Sequence, residues 1–597
     1  MGKINDGIET IFSERNHYII IGLTGRTGSG CTEVAKILQT SKFSELKLHL
    51  PKELDYKSNE ERKYKIIYNY AQYKMNWSPF QVLSMSNMIF TFILQHKYEE
   101  LPKILESVLP ELSQKEINGI MSNLDKDMRA LYCTLHKAFI DCLDDKKENA
   151  LKRKGVDGYL KKEYELLDEI SETHNVLRKE LKEHIYKYEE EFEESGKKEI
   201  RSHVANAYTY LYQQLGNNIR SHGDVFKGAF TGHNMFDLAR RANDFVKAIK
   251  DHNDATDKPT LVCIDAIRNP YEGTYFKDRY SSFYLISVNT EDDERRRRLS
   301  SLNKEQIDDL DRLEYPKKLK GSDIFTNQNI GSCLELSDIH IYNPISKTEE
   351  KFFLTEQIIK YVMLMKHPGL ITPTRIERCM QIAYNAKLNS GCLSRQVGAT
   401  ITDEKYSVKA VGWNDVPEGQ VPCNLRDIKS FCINKDRKSY SQFEIEDSKF
   451  NNELKDRKEK INYDKLSGRL HPYCFKDVYN KISNTKNQVY TRALHAEENA
   501  FLQIAKNGGS GIKGGFLFTT ASPCELCSKK AYQLGIKCIY YIDPYPGISI
   551  PHILNFGENN PKNPKSQLFY GAIGKAYTEL YSQRFAIKDE LELFNED

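Results

Sequence analysis

Four residues near the C-terminal end have the types and spacing for hydrolytic metal chemistry. "LHAEEN" carries His495 and Glu497, and "SPCELC" carries Cys524 and Cys527. One neutral imidazole and two thiolates suit zinc and leave the fourth tetrahedral position open for water. Glu497 then has no metal duty and can carry protons between that water and a substrate. A lone C-x-x-C reads equally well as a redox pair, and a lone histidine as a core residue. All four positions together favour the metal site.

The elements that must position them are legible too. Ser522 and Glu525 have the spacing of a capping box with Pro523 at the first helical position. That spacing predicts a helix whose first turn carries both cysteines, where the positive helix end favours thiolates. Gly535 ends this helix before the strand "KCIYYI". His495 and Glu497 are two apart and would diverge by about 200° on a regular helix. They can share a site only at a helix start, so "HAEENAFLQIAKNG" is predicted as a helix beginning at His495 and ending at Gly508.

H-x-E with P-C-x-x-C is the signature of zinc-dependent nucleobase deaminases, and the surroundings resemble the deoxycytidylate deaminases. "LSRQVGATI" (393–401) and "AVGWNDVPEG" (410–419) resemble that family's first two strands, and "FLFTTASPC" and "YYIDPYPG" its third strand and the segment after the cysteine helix. The resemblance covers roughly residues 372–560. It implies that Asn414 hydrogen-bonds the sugar of a free nucleotide. Tyr545 is a candidate for stacking on the base, with a turn tyrosine as the plainer alternative. An insertion over about 422–490 interrupts the match and is highly charged in its middle. Its Cys423, Cys432, His471 and Cys474 could form a second, structural zinc site. A surface insertion with scattered free thiols is the other reading.

The N-terminal end holds a second device. "HYIIIGLTGRTGSGCTEVAKIL" reads as an apolar strand, a glycine-rich turn and an amphipathic helix. Gly25, Gly28, Gly30, Cys31 and Thr32 follow a Walker A spacing with Cys31 in the lysine position. Backbone amides over Thr27 to Thr32 can still cradle phosphate, and Thr32 can still hold Mg2+. The missing ammonium puts phosphoryl transfer in doubt but not nucleotide binding. "PTLVCIDAIRNP" ends in Asp265, placed as a Walker B carboxylate. "SSFYLISV" and "NTEDDERRRRL" resemble the fifth strand and arginine-rich lid of nucleoside-monophosphate kinases, although Arg295 to Arg298 also read as a solvated helix face.

With 597 residues the chain exceeds what one core serves. The expected class is α/β. A P-loop kinase-like three-layer domain occupies 1–345 with a helical insertion over about 50–250, residues 346–371 form a linker, and a cytidine-deaminase-like αβα domain occupies 372–597. A formal net charge of +3 gives no electrostatic footprint for nucleic acid. Thirteen cysteines without a regular framework fit a reducing cytosol. The N-terminus is polar, and no apolar run approaches a membrane span, so a cytoplasmic protein without a membrane partner is expected.

A P-loop unit fused ahead of a deoxycytidylate deaminase unit resembles the bacterial anti-phage deoxycytidine nucleotide deaminases. That resemblance implies deamination of free dCTP, and also dCMP, to drain the pool a phage needs, with no DNA substrate. It implies homo-oligomers held silent in healthy cells, in some members by an inhibitory small RNA, with the N-terminal unit in control. Two other function classes stay open: a polynucleotide cytosine or adenine deaminase, which shares the zinc signature, and a P-loop signalling protein with a relic deaminase domain.

Overall fold

The computed structural model describes residues 3–52, 56–73, 76–109, 112–124, 126–152, 157–194, 207–300, 302–316, 319–344, 352–434, 436–508, 511–544, 547–557 and 560–593. The chain divides into two compact units, residues 1–372 with 578–597, and residues 373–577. No helix among the described residues is long and apolar enough to cross a membrane.

In the first unit five strands pair in parallel: β1 (Tyr18–Thr24), β2 (Gln81–Ser84), β3 (Thr260–Asp265), β4 (Phe283–Asn289) and β5 (Ile339–Tyr342), in the order β5-β4-β1-β3-β2. β1, β3 and β4 are nearly continuous apolar runs because strands covered on both faces have no polar side to present. The helix Cys31–Gln39 follows β1 directly and buries Val34, Ala35 and Leu38.

The stretch expected as a helical insertion, about 50–250, differs in two ways. Gln81–Ser84 is strand β2, not the start of a helix, and the Ser84 hydroxyl accepts from the Ser86 amide (3.3 Å) to open the helix Met85–Ile93. The helices beyond it share one core with the sheet: Phe90, Ile117, Tyr132, Phe139, Leu215 and Phe245 cluster with Ile20, Val262 and Ile264. The charged run holds the helix Asp157–Glu194, which buries Leu160, Leu166, Ile170, Leu177 and Leu181 along one stripe. The expected linker also differs. The helix Phe353–Lys366 packs on the helices Cys31–Gln39 and Asn59–Gln72 of the first unit. "FLTEQIIKYVMLMK" is apolar on nearly every face and must be covered.

The second unit holds β6 (Gly398–Thr402), β7 (Val408–Trp413), β8 (Phe516–Ala521), β9 (Cys538–Asp543) and β10 (Lys565–Leu568), in the order β10-β9-β8-β6-β7. β6 runs antiparallel to β7 and β8, while β8, β9 and β10 are parallel. One core joins Cys379 and Met380 of the helix Arg375–Ala386 to Phe518 and Tyr540. Another joins Ala496, Ala500 and Phe501 of the helix Ala496–Asn507 to Ile401, Leu517 and Ile539. Alternate residues of β8 thus serve two helical layers. The insertion folds around its own aromatic core of Phe431, Tyr440, Phe450 and Tyr473. Beside that core lies a buried Arg426–Glu444 ion pair, to which the Tyr473 hydroxyl donates (2.8 Å to Glu444). Residues 578–597, expected in the second domain, belong to the first unit.

Candidate active site

Two helix starts converge in the second unit. His495 is the N-cap of the helix Ala496–Asn507, with extended backbone, and its amide donates to Glu498 (3.4 Å). Helix geometry begins one residue later, which is how two positions in H-x-E come to face one site. Gly508, at φ 64°, ends this helix. The other start differs from expectation by two residues: Cys524, not Ser522, is the N-cap of the helix Glu525–Gln533. Ser522 and Glu525 close no box: the Ser522 amide donates to the Asp543 carbonyl (2.9 Å), and the Glu525 carboxylate accepts from the Ile548 amide (3.1 Å). Gly535 follows at φ 71° and stops the helix, as its left-handed conformation permits.

The Cys524 and Cys527 sulfurs lie 3.2 and 3.5 Å from His495 Nδ1. The three ligand atoms all fall within 4.8 Å of one another. Tetrahedral zinc with Zn–S of about 2.3 Å and Zn–N of about 2.0–2.1 Å requires ligand separations of roughly 3.6 Å, so the donor set fits that ion. Hydrogen bonding from Cys527 and from His495 brings Cys524 down to about 3 and raises Cys527. Glu497 is buried beside them, and burial raises its pKa above the usual carboxylate value. Thr519 Oγ1 of β8 donates to the Ala521 carbonyl (2.8 Å) and lies 3.3 Å from Glu497 Oε1. A carboxyl held at the neutral end of its range can both take and return a proton.

Close backbone approach sets the position of this helix. A Cβ on Gly412 would lie 2.3 Å from the Ala496 carbonyl oxygen and 2.5 Å from the Ala500 amide, so only glycine lets β7 run against it. Leu494 donates to the Asp415 carbonyl (2.8 Å), and the Asn499 side chain to the Trp413 carbonyl (3.0 Å). Asn414 spends its side chain on the strand before it. Its Oδ1 accepts from the Val397 amide (2.6 Å) and its Nδ2 donates to the Arg395 carbonyl (2.7 Å). One amide proton and one lone pair remain for a ligand. Arg395 pairs with Asp543 at the end of β9. Tyr545 lies outside the described residues. Sequence reasoning passed over Thr519, Arg395 and Asp543; Thr519 was signalled only by its polarity at an inward position of β8.

Cys423, Cys432, His471 and Cys474 do not gather: among the described residues one such ligand group forms, His495 with Cys524 and Cys527. The four are spent elsewhere. Cys423 accepts from Arg492 (3.5 Å), Cys432 packs on the insertion's core, the His471 amide donates to Asp427 (3.0 Å), and Cys474 is the N-cap of the helix Phe475–Ile482.

In the first unit Gly25 to Thr32 join β1 to the helix Cys31–Gln39, with Gly28 and Gly30 at φ 85° and 110°. Two carbonyls of this loop are held from outside. Thr27 O accepts from Arg295 (3.4 Å), and Ser29 O accepts from Arg298 (3.3 Å) and Asn343 (3.0 Å). The Thr27 amide and hydroxyl donate to the buried Glu314, which also pairs with Arg268. Thr32 Oγ1 lies 3.4 Å from Asp265 Oδ2, and burial raises the Asp265 pKa. Burial likewise pushes the Cys31 thiol up to about 12. In the arginine cluster only Arg295 is buried and Arg297 is exposed, and all four are paired: Arg295 and Arg296 with Asp292, Asp308 and Asp311, and Arg297 and Arg298 with Glu294.

Residues 474–543 match the model of the cytidine and deoxycytidylate deaminase zinc-binding region. The deoxycytidylate deaminase of Enterobacteria phage T2 is 30% identical over 167 residues, covering 28% of this chain and 78% of that enzyme. That of Enterobacteria phage T4 is 29% identical over 167 residues, covering 28% and 76%. The apo crystal structure of the dCMP deaminase of cyanophage S-TIM5 is 22% identical and covers 33% of this chain and all of that one, at a TM-score of 0.19. The buried glutamate, the three-ligand cluster and the extent of the match to the T2 enzyme agree: through its C-terminal part this chain belongs to the zinc-dependent deoxycytidylate deaminase family.

Proposed function

We propose that the protein hydrolyses the C4 amino group of free deoxycytidine nucleotides, dCTP and also dCMP, releasing ammonia and the deoxyuridine nucleotide. The single observation that carries this reading is the buried Glu497 beside the His495, Cys524 and Cys527 ligand set. Zinc, when bound there, supplies a Lewis acid that brings water towards ionisation at neutral pH. Glu497 takes the proton from the attacking water and delivers it to N3 of cytosine. As the water oxygen bonds to C4, its second proton passes through Glu497 to the amine, which leaves as ammonia, with Thr519 Oγ1 3.3 Å from the carboxyl. Asn414, by resemblance, would place its remaining amide proton on the sugar. Relatives named as deoxycytidylate deaminases support a free nucleotide as substrate. A formal net charge of +3 gives the chain little overall electrostatic attraction to a polynucleotide.

The first unit is proposed to bind a nucleotide at the Gly25–Thr32 loop, with Mg2+ between Thr32 and Asp265, and to control the deaminase without hydrolysing ATP. The loop geometry supports the binding. Resemblance to anti-phage deaminases supports the control, a homo-oligomeric cytoplasmic state, repression by a small RNA and a role in draining the phage's nucleotide pool. Ammonia release from dCTP, dCMP and a cytosine-bearing single strand tests the activity. Release from the two free nucleotides is expected, and release from the single strand alone would overturn the reading. Loss of dCTP in infected cells carrying the wild type, but not Glu497→Gln, tests the role in defence.

A further inference from the structure

We infer that one cavity of the first unit reads both ends of a nucleoside phosphate, the phosphate on the Gly25–Thr32 loop and the base on Gln213. The inference rests on the proposed phosphate-binding role of the loop and adds to it a base-recognition residue that no motif announces. The cavity has a volume of about 490 Å³, within the roughly 300–1,000 Å³ typical of small-ligand sites. The loop forms one wall, and Tyr208, Tyr212 and Gln213 of the helix Ala207–His222 line another.

The loop wall is built to present donors. In a trans peptide the C=O and the following N–H point in opposite directions. Arg295 holds the Thr27 carbonyl, and Arg298, itself on the cavity wall, holds the Ser29 carbonyl together with Asn343. The Gly28 and Gly30 amides are thereby turned away from those clamps, and both residues line the cavity. The first-turn amides of Cys31 and Thr32 have no carbonyl partner within their helix and add to the same cradle.

Gln213 is the independent observation. It is 5% exposed, and neither its Nε2 nor its Oε1 has a hydrogen-bond partner. A buried primary amide left unpaired on both atoms is costly and uncommon. Adjacent donor and acceptor atoms are what the edge of a nucleobase offers in return. The Gln328 Oε1, on the same cavity, is also buried and unpartnered. Tyr212 beside Gln213 is fixed in place, its hydroxyl 2.8 Å from His174 Nε2, while His174 Nδ1 lies 2.6 Å from Asn87. Arg178, over the Tyr208 ring at 5.6 Å, lines the cavity too. It puts a positive charge on the cavity wall near Asp265.

The test uses the full chain and labelled dATP, dGTP and dTTP with their monophosphates, so that no cytosine substrate is present. Equilibrium dialysis should find at least one of them bound, with inorganic tripolyphosphate competing. Gln213→Leu should weaken that nucleotide at least tenfold while leaving tripolyphosphate binding unchanged. Its melting temperature without ligand should equal or exceed that of the wild type, because the lost amide had no partner. Gln213→Glu, which keeps size and polarity, should weaken nucleotide binding likewise. If tripolyphosphate binds but neither variant alters nucleotide affinity, the base assignment falls and the loop reading stands. If neither tripolyphosphate nor any nucleotide binds, both fall. A Gln213→Leu protein that melts several degrees lower would make Gln213 a packing residue and overturn the inference.

Discussion

Both proposed sites are built at helix N-termini, and they are held in place in opposite ways. In the second unit the chemistry is local: His495 and Cys524 are themselves N-caps, and Glu497 and Cys527 follow within three residues. In the first unit the loop is local, but everything that fixes it comes from more than two hundred residues away: Arg268, Arg295, Arg298, Glu314 and Asn343. A site whose ligands cap their own helices survives as a short motif. A loop whose conformation depends on distant clamps leaves no such local signature.

The largest expected effect breaks the local site. Cys524→Ala leaves two ligands, too few for a tetrahedral ion, so bound zinc and ammonia release should both fall to background. Metal content by mass spectrometry and activity on dCTP check this, and full activity without zinc would end the comparison. Glu497→Gln should separate chemistry from architecture. Zinc content and melting temperature stay near wild type, while turnover drops by about 10²–10⁴-fold as proton transfer is lost. A normal rate would require another proton carrier.

A third variant asks whether the insertion is a folded part of the second unit. Glu444→Ala strands the buried Arg426 guanidinium. Breaking a buried pair costs about 3–5 kcal/mol, read as a lower urea midpoint. A change below about 0.5 kcal/mol would mean that the pair is solvated. The smallest effect belongs to the loop. Cys31→Lys should tighten tripolyphosphate binding several-fold and still give negligible ATP turnover, because the lid arginines are already spent on Asp292, Asp308, Asp311 and Glu294. With its thiol held up to about 12, Cys31 stays neutral at assay pH, so phosphate binding by the wild type should show no cysteine titration between pH 7 and 9. Rapid ATP turnover in either protein would contradict the proposed non-hydrolytic role.

These differences explain what was legible in the sequence. β1, β3 and β4 were readable because strands covered on both faces are continuous apolar runs, and the turns at Gly508 and Gly535 because left-handed backbone selects glycine. β2 was not, since four residues at a sheet edge carry no period. The helix Phe353–Lys366 reads as a linker from sequence because its charged flank hides an apolar helix with no polar face. The insertion's charge count hides its spaced aromatics, and residue type alone leaves zinc ligands and scattered thiols both open for Cys423, Cys432, His471 and Cys474; the three cysteines are free thiols. Neither Gln213 nor Glu314 carried any local signal; each has meaning only against a loop far away in the chain.

The central claim is that this chain deaminates free deoxycytidine nucleotides at the His495, Cys524 and Cys527 site with Glu497 as proton carrier. Its most direct test is ammonia release by the zinc-loaded full chain, and by its Glu497→Gln variant, from dCTP, dCMP and a cytosine-bearing single strand at equal cytosine concentration. The account predicts release from the free nucleotides, little from the single strand and near-background rates in the variant. Release from the single strand alone, or equal rates in wild type and variant, would contradict it.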